Sequence, residues 1–290
     1  MEVQHFFDNE TSTLTYIVFD RQSGDAVIID PVMDYDSSSG NITDTSFQLL
    51  LAFITTNKLK PYLVLETHAH ADHLSGAQLL KASFPSLLIC ISKHITTVQQ
   101  TFKDLLNLEE SFRPDGSQFD KLIEDNEILK AGSLKIKAIP TPGHTPACLS
   151  FSIENAIFTG DSLFIEDYGT GRCDFPQGCA ENLYQSVHER LYSLPDATEV
   201  YVGHDYQPNG RELRYKTTIG ASKRQNIQLN NETAPEQFFD FRNKRDKTLK
   251  TPKLLYPSIQ VNIRAGHLPG KEKNNQVFLK MPIFNCIQKS

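Results

Sequence analysis

Residues 65–76 read LETHAHADHLSG, which places His68, His70, Asp72 and His73 within six positions, directly behind the apolar run PYLVL at 61–65. Where a strand gives way to a turn and then a helix, alternate side chains can converge on one point while the next pair faces a neighbouring one. Neutral imidazole and carboxylate are ligands that Zn, Fe and Mn accept, whereas Ca and Mg prefer all-oxygen cages. Any one of these residues, taken alone, is explained as a cap or a turn residue. Three further donors change that balance. His144 lies in PTPGHTPA (140–147), behind a β-rich run and a rigid Pro142–Gly143 turn; Asp161 follows AIFTG (156–160); and His204 follows EVYVG (199–203). A strand, a glycine or turn, and then a donor recur each time, so the whole set can gather along one edge of a sheet structure and reads as a metal site.

The rest of the chain fits that frame. LTYIVFD (14–20) and AVIIDP (26–31) read as strands joined by a turn at Gly24, and TDTSFQLLLAFITTNKLK (43–60) has helical apolar spacing, with Thr43 or Asp44 as N-cap and a stop before Pro61. DHLSGAQLLKASF (72–84) and HITTVQQTFKDLLNL (94–108) read as helices around the strand SLLICIS (86–92). SLKIKAIP, CLSFSI and NAIFTGD then read as three strands, ENLYQSVHERLYSL (181–194) as an amphipathic helix, and TEVYVGHD as a strand ending on a histidine. Hairpins mixed with crossover helices predict two sheets packed face to face with helices outside, an αββα sandwich. Beyond Tyr206 the character changes: 214–229 and 234–249 read as charged helices and PSIQVNIRAGHLPG (257–270) as an extended cap. The expected organisation is a catalytic domain over 1–206 and a C-terminal extension over 207–290 packed on it.

With 39% hydrophobic and 22% charged residues and a net charge of −6, the chain of 290 residues reads as a soluble globular protein without the basic face that nucleic-acid phosphates require. The N-terminus lacks the basic and apolar regions of a signal peptide, and no apolar run approaches the roughly 18 residues of a membrane span. The five cysteines, Cys90, Cys148, Cys173, Cys179 and Cys286, are odd in number and form no C-x-x-C pair. Reduced thiols in a cytoplasmic protein are expected, and none has a base at a spacing that marks a catalytic cysteine. A homo-oligomer is left open.

The motifs HAHADH, PGHT, TGD and GHD, in this order and at these separations, resemble those of the metallo-β-lactamase superfamily over about residues 1–206, and the resemblance implies the same sandwich and a metal centre. It does not by itself imply a substrate. GTGRCDFPQG (169–178) and the GHDY that ends at Tyr206 are similar to the G-x-G-R-x-D-F-x-x-G signature of the persulfide (sulfur) dioxygenases, and the long tail resembles their bacterial branch. Cys173 stands where many of those relatives carry threonine.

That resemblance implies one Fe(II) per chain held by His68, His144 and Asp161, a two-histidine, one-carboxylate set that leaves positions open for a substrate sulfur and O2. It implies oxidation of glutathione persulfide, with O2 and water, to glutathione and sulfite. His70, Asp72, His73 and His204 would then orient the iron ligands and hold protons, or bind a second metal as in two-metal hydrolases. Arg172 and Tyr206 would contact the glutathione moiety; a salt bridge from Arg172 to Asp174 that staples the loop is the alternative for the arginine. The rival activity is a glyoxalase-II-like glutathione thiolester hydrolase with two metals.

Overall fold

The chain enters as three antiparallel strands, β1 (Glu2–Asp8), β2 (Thr13–Phe19) and β3 (Asp25–Ile29), with Gly24 at φ 75° in the turn before β3. A hairpin of β4 (Val32–Asp36) and β5 (Asn41–Thr43) leads into α1 (Thr45–Thr56), followed by β6 (Lys60–Leu65), the two-residue β7 (Leu74–Ser75), α2 (Ala77–Ser83), β8 (Leu88–Ser92), α3 (Ile95–Leu105) and β9 (Lys121–Ile123). The second half runs through β10 (Ile128–Ala131), β11 (Leu134–Pro140), β12 (Leu149–Ile153), β13 (Ala156–Phe158), α4 (Ala180–Gln185), β14 (Glu199–Tyr201) and β15 (Lys216–Thr218). It ends on α5 (Ile219–Gln225), α6 (Pro235–Asp246) and α7 (Leu255–Asn262). This computed structural model describes residues 1–283, so Cys286 and the end of the 207–290 extension lie outside the described residues.

Two six-stranded sheets result, in the orders β1-β2-β3-β6-β8-β9 and β10-β11-β12-β13-β14-β15, with a small sheet β5-β4-β7 beside the site. The residue pattern explains the layering. In β2 every residue is buried, because Leu14, Tyr16 and Val18 face the second sheet while Ile17 and Phe19 face the helices. β11 instead alternates, with Leu134, Ile136 and Ala138 buried and Lys135 and Lys137 exposed. One core therefore lies between the sheets, and a second lies between the first sheet and Phe47, Leu50, Ile54, Ile95, Val98 and Phe102 of α1 and α3. Leu183 of α4 and Phe238 of α6 join the first core. The architecture is the αββα sandwich expected from the sequence.

Three segments differ from their sequence reading. Residues 257–262 are helical rather than extended: Pro257 sits in the first turn of α7, where its missing N–H costs nothing, and burial of Ile259 and Val261 overrides the weak helix propensity of β-branched residues. The helix expected over 72–84 begins only at Ala77, since Leu74 and Ser75 pair with Met33 and Val32. Beyond Tyr206, Lys216–Thr218 is not helical but pairs antiparallel with β14 as the edge strand of the second sheet, and Thr218 then caps α5 by accepting the Ala221 N–H at 3.1 Å.

Candidate metal centre

Every donor follows the C-terminal end of a strand: Asp30 after β3, His68, His70, Asp72 and His73 after β6, His144 after β11, Asp161 after β13 and His204 after β14. Backbone bonds draw these loops together. The Leu149 N–H donates to the Thr67 carbonyl at 2.9 Å, the Gly203 N–H to the Gly160 carbonyl at 3.2 Å and the Gly171 N–H to the Asp161 carbonyl at 3.1 Å. Glycine is required where two backbones meet: a Cβ on Gly203 would stand 2.9 Å from the Gly160 carbonyl carbon, and one on Gly171 would stand 2.1 Å from the Asp161 oxygen.

The result is one buried cluster. Ligand atoms of His68, His144 and Asp161 lie within 4.8 Å of one another, as do those of His70, Asp72 and His73. Asp161 faces both groups, with Oδ2 at 3.6 Å from His144 Nε2 and Oδ1 at 3.3 Å from His204 Nε2; His204 Nε2 is also 3.3 Å from Asp72 Oδ2. Asp30, which has the same strand-then-donor signature in VIID, and Glu66 join the cluster without being among the donors expected from sequence. They sit behind His70, whose Nε2 is 3.0 Å from Asp30 Oδ1 and 3.7 Å from Glu66 Oε2.

Hydrogen bonds fix how the rings point. The Thr67 hydroxyl donates its single proton to Asp30 Oδ2 at 2.7 Å, so at 3.0 Å it accepts from His68 Nδ1, and the lone pair of His68 is on Nε2. His144 Nδ1 donates to the Arg172 carbonyl at 2.6 Å and His204 Nδ1 to the Ser12 carbonyl at 3.1 Å, which turns the Nε2 lone pairs of both rings inward. Burial, reinforced by His70, holds His68 well below the ordinary histidine range, and burial with the His73 imidazole does the same for His70. Burial would raise Asp72, but the imidazoles of His204 and His73 outweigh it and hold the carboxyl well below its ordinary value. Burial also pushes Glu66 well above the carboxylate range, helped by the charge of Asp30.

Nε2 of His144 and Nε2 of His204 thus face Asp161 carboxylate oxygens at 3.6 and 3.3 Å, an arrangement that a shared cation, a metal ion or a proton, makes favourable. His70 Nδ1, His73 Nε2 and Asp161 Oδ1 are moreover buried without a hydrogen-bond partner. The donor set fits a metal ion. It opens onto a cavity of about 910 Å³ reached by Asp72, His73, His144 and Asp161. Phe164, Tyr168 and Tyr206 line it with aromatic rings, Tyr206 tilted against Tyr168 at 4.6 Å, while Arg172, Arg242, Arg245, Lys250 and Lys253 contribute positive charge and Asp8, Glu10, Asp34 and Asp36 negative charge.

A model of the metallo-β-lactamase superfamily matches residues 8–204. The chain belongs to that superfamily. Its metal centre is therefore the expected one for the fold, and the finer likenesses point in two directions. A protein named Glyoxylase B2 from Dictyostelium discoideum is 44% identical over 283 residues, covering 97% of each chain. The human mitochondrial persulfide dioxygenase ETHE1 is 34% identical over 207 residues, or 70% of this chain and 68% of that protein. The crystal structure of ETHE1 from Myxococcus xanthus superposes with a TM-score of 0.73 at 28% identity, covering 92% of this chain and all of that one.

Arg172 and Tyr206, the two residues expected to touch substrate, both line the cavity of this superfamily member. Tyr206 is on the cavity wall, 42% exposed, and stacks on the His204 ring at 5.5 Å. Arg172 lines the cavity too, but its Nε and Nη2 each donate to Asp174 at 2.5 Å and its Nη1 to the Lys250 carbonyl at 2.8 Å. Cys173 is buried, with its N–H bonded to Asp246 at 2.7 Å; Cys90, Cys148, Cys173 and Cys179 are all free thiols. Among the described residues no helix is long and apolar enough to cross a membrane.

Proposed function

We propose that the protein is an iron-dependent persulfide dioxygenase, which converts glutathione persulfide, O2 and water to glutathione, sulfite and protons. The observation that carries this reading is the convergence of His68, His144 and Asp161 beside a cavity that His144, Asp161 and, from the GTGRCDF loop, Thr170, Gly171 and Arg172 help to line. A two-histidine, one-carboxylate set suits Fe(II), which when bound would supply the redox chemistry between the persulfide sulfur and O2. The chain's own residues do the rest. The carbonyl of Arg172 and the hydroxyl of Thr67 orient His144 and His68, and Asp30 holds the Thr67 hydroxyl in the correct sense. Arg245, Lys250 and Lys253 of the cavity lining suit a substrate carrying carboxylates, and the ring pair Tyr168–Tyr206 shields the reacting end from bulk water. In this reading His70, Asp72, His73 and His204 orient the iron ligands and hold protons.

A second reading, a glutathione thiolester hydrolase using two metals, is supported by the complete donor set His70, Asp72, His73 and His204 around Asp161 and by the relative named Glyoxylase B2. Anaerobic purification from iron-replete cells, metal analysis, and parallel assays of O2 uptake with glutathione persulfide and of thiolester cleavage separate the two. About one iron per chain with persulfide-dependent O2 uptake is expected. Two tightly bound zinc ions with rapid thiolester cleavage would establish the hydrolase instead.

A further inference from the structure

One side chain of the C-terminal extension bonds the backbone of the donor turn. Asn262, at the end of α7 and 4% exposed, donates from Nδ2 to the carbonyls of His70 at 2.9 Å and His73 at 2.8 Å, while its Oδ1 accepts the Ser75 N–H at 2.8 Å. Two acceptors on one side and a donor on the other allow only one orientation of the amide. The three bonds bracket His70, Asp72 and His73. A buried ring continues from them: the Ser75 hydroxyl donates to Glu66 Oε1 at 2.5 Å, and Glu66 Oε2 stands 3.7 Å from His70 Nε2.

The end of α7 is anchored independently of these bonds. Gln99 donates to the Ile263 carbonyl and Gln78 to the Ala265 carbonyl, both at 2.8 Å, and neither glutamine bonds a donor residue. Gly266, at φ 85°, passes so close that a Cβ there would stand 3.1 Å from the Ser75 oxygen. The turn itself, from Thr67 to His73, has no helix or strand to hold it. Without Asn262 the carbonyls of His70 and His73 would be buried acceptors lacking this partner, and the turn would be free to relax.

We infer that Asn262 is a positioning residue of the metal centre: its carboxamide fixes the backbone of residues 70–75 and so sets where the donors of the second half of the motif point. A metal site needs its donors held to about 0.5 Å, and residues that orient ligands typically change metal affinity 10- to 100-fold when removed. The inference rests on the donor set holding a metal but not on which reaction that metal serves.

Co(II) is the probe, loaded into metal-free full-length protein, with the visible absorption of the bound ion and its rate of loss to a chelator as readouts. Asn262→Ala, and the isosteric Asn262→Asp that lacks both N–H donors, are expected to shift the Co(II) spectrum and to release the ion about tenfold faster than wild type. Gln78→Ala, which loosens the same helix end without touching the turn, should lower the melting temperature but keep both readouts. Wild-type spectra and release rates in both Asn262 variants would overturn the inference. So would equal changes in Gln78→Ala, or a failure of both Asn262 variants to fold without metal while Gln78→Ala folds, since the residue would then serve the fold alone. Wild-type protein that takes up no Co(II) would instead remove the metal reading itself.

Discussion

Arg172 commits three of its five N–H groups within the protein, and the Nε/Nη2 fork that would best grip a substrate carboxylate is already closed on Asp174. The pair is partly exposed, at 21% and 37%, so its direct worth is at most about 1 kcal/mol. Its geometric effect is larger, because the Arg172 carbonyl orients His144. A staple makes a specific forecast: Arg172→Ala and Asp174→Asn should raise KM for glutathione persulfide by similar factors and lower Tm by about 2 to 4 °C. The double variant should then be no worse than either single one, because both delete the same contact. Arg172→Lys should not rescue, lacking the fork. A rise in KM confined to Arg172→Ala, with Asp174→Asn close to wild type, would return the arginine to direct contact with substrate.

At the level of elements, the site is made by strand ends brought together through glycines. Gly160 and Gly203 lie backbone against backbone, which is how β13 and β14 deliver Asp161 and His204 to within 3.3 Å. Gly203→Ala puts a methyl 2.9 to 3.0 Å from Gly160 backbone atoms, and backbone cannot swing aside as a side chain can. A loss of about 1–3 kcal/mol is expected, read as a lower Tm, together with weakened metal retention. An unchanged Tm and full metal content would show that the two loops can separate without cost.

This construction also explains what was legible beforehand. A β-run followed closely by a donor forms a local pattern, reinforced by a glycine directly before His144, Asp161 and His204, so these three and His68 could be read directly, and Asp30 carried the same β-run and donor in VIID. β15 was hidden because three residues, KTT, are too short for a period to show inside a charged stretch. α7 was misread because Ile259 and Val261 favour strand locally and are held in a helix by burial. Asn262 has no local signature at all: its partners lie 187 to 192 residues away.

Across the whole molecule, both cores depend on the chain beyond Tyr206. Ile219, Leu229 and Phe238 are fully buried in the core between the sheets, and Ile259, Ile263 and Ala265 in the core beneath the helices. Asp205, next to the donor His204, is held by both terminal nitrogens of Arg211 at 2.7 Å and by the Arg214 N–H at 2.7 Å. Arg242 and Asp246 of α6 form a buried pair that reaches the pocket loop, through the Gly171 carbonyl at 3.3 Å and the Cys173 N–H at 2.7 Å. A chain ending at residue 206 would therefore leave β14 as an unpaired edge, open two apolar surfaces and release the loop that carries Arg172. Each fully buried Leu, Ile or Phe contributes about 1.5–3 kcal/mol, so losing Ile219, Leu229, Phe238, Ile259 and Ile263 removes about as much as the 5–15 kcal/mol that stabilise an ordinary domain. Expressed alone, residues 1–206 should be recovered aggregated or unfolded, whereas residues 1–283 should melt cooperatively. Recovery of 1–206 as a soluble species with a sharp thermal transition would show instead that the sandwich closes without β15 and α5 to α7.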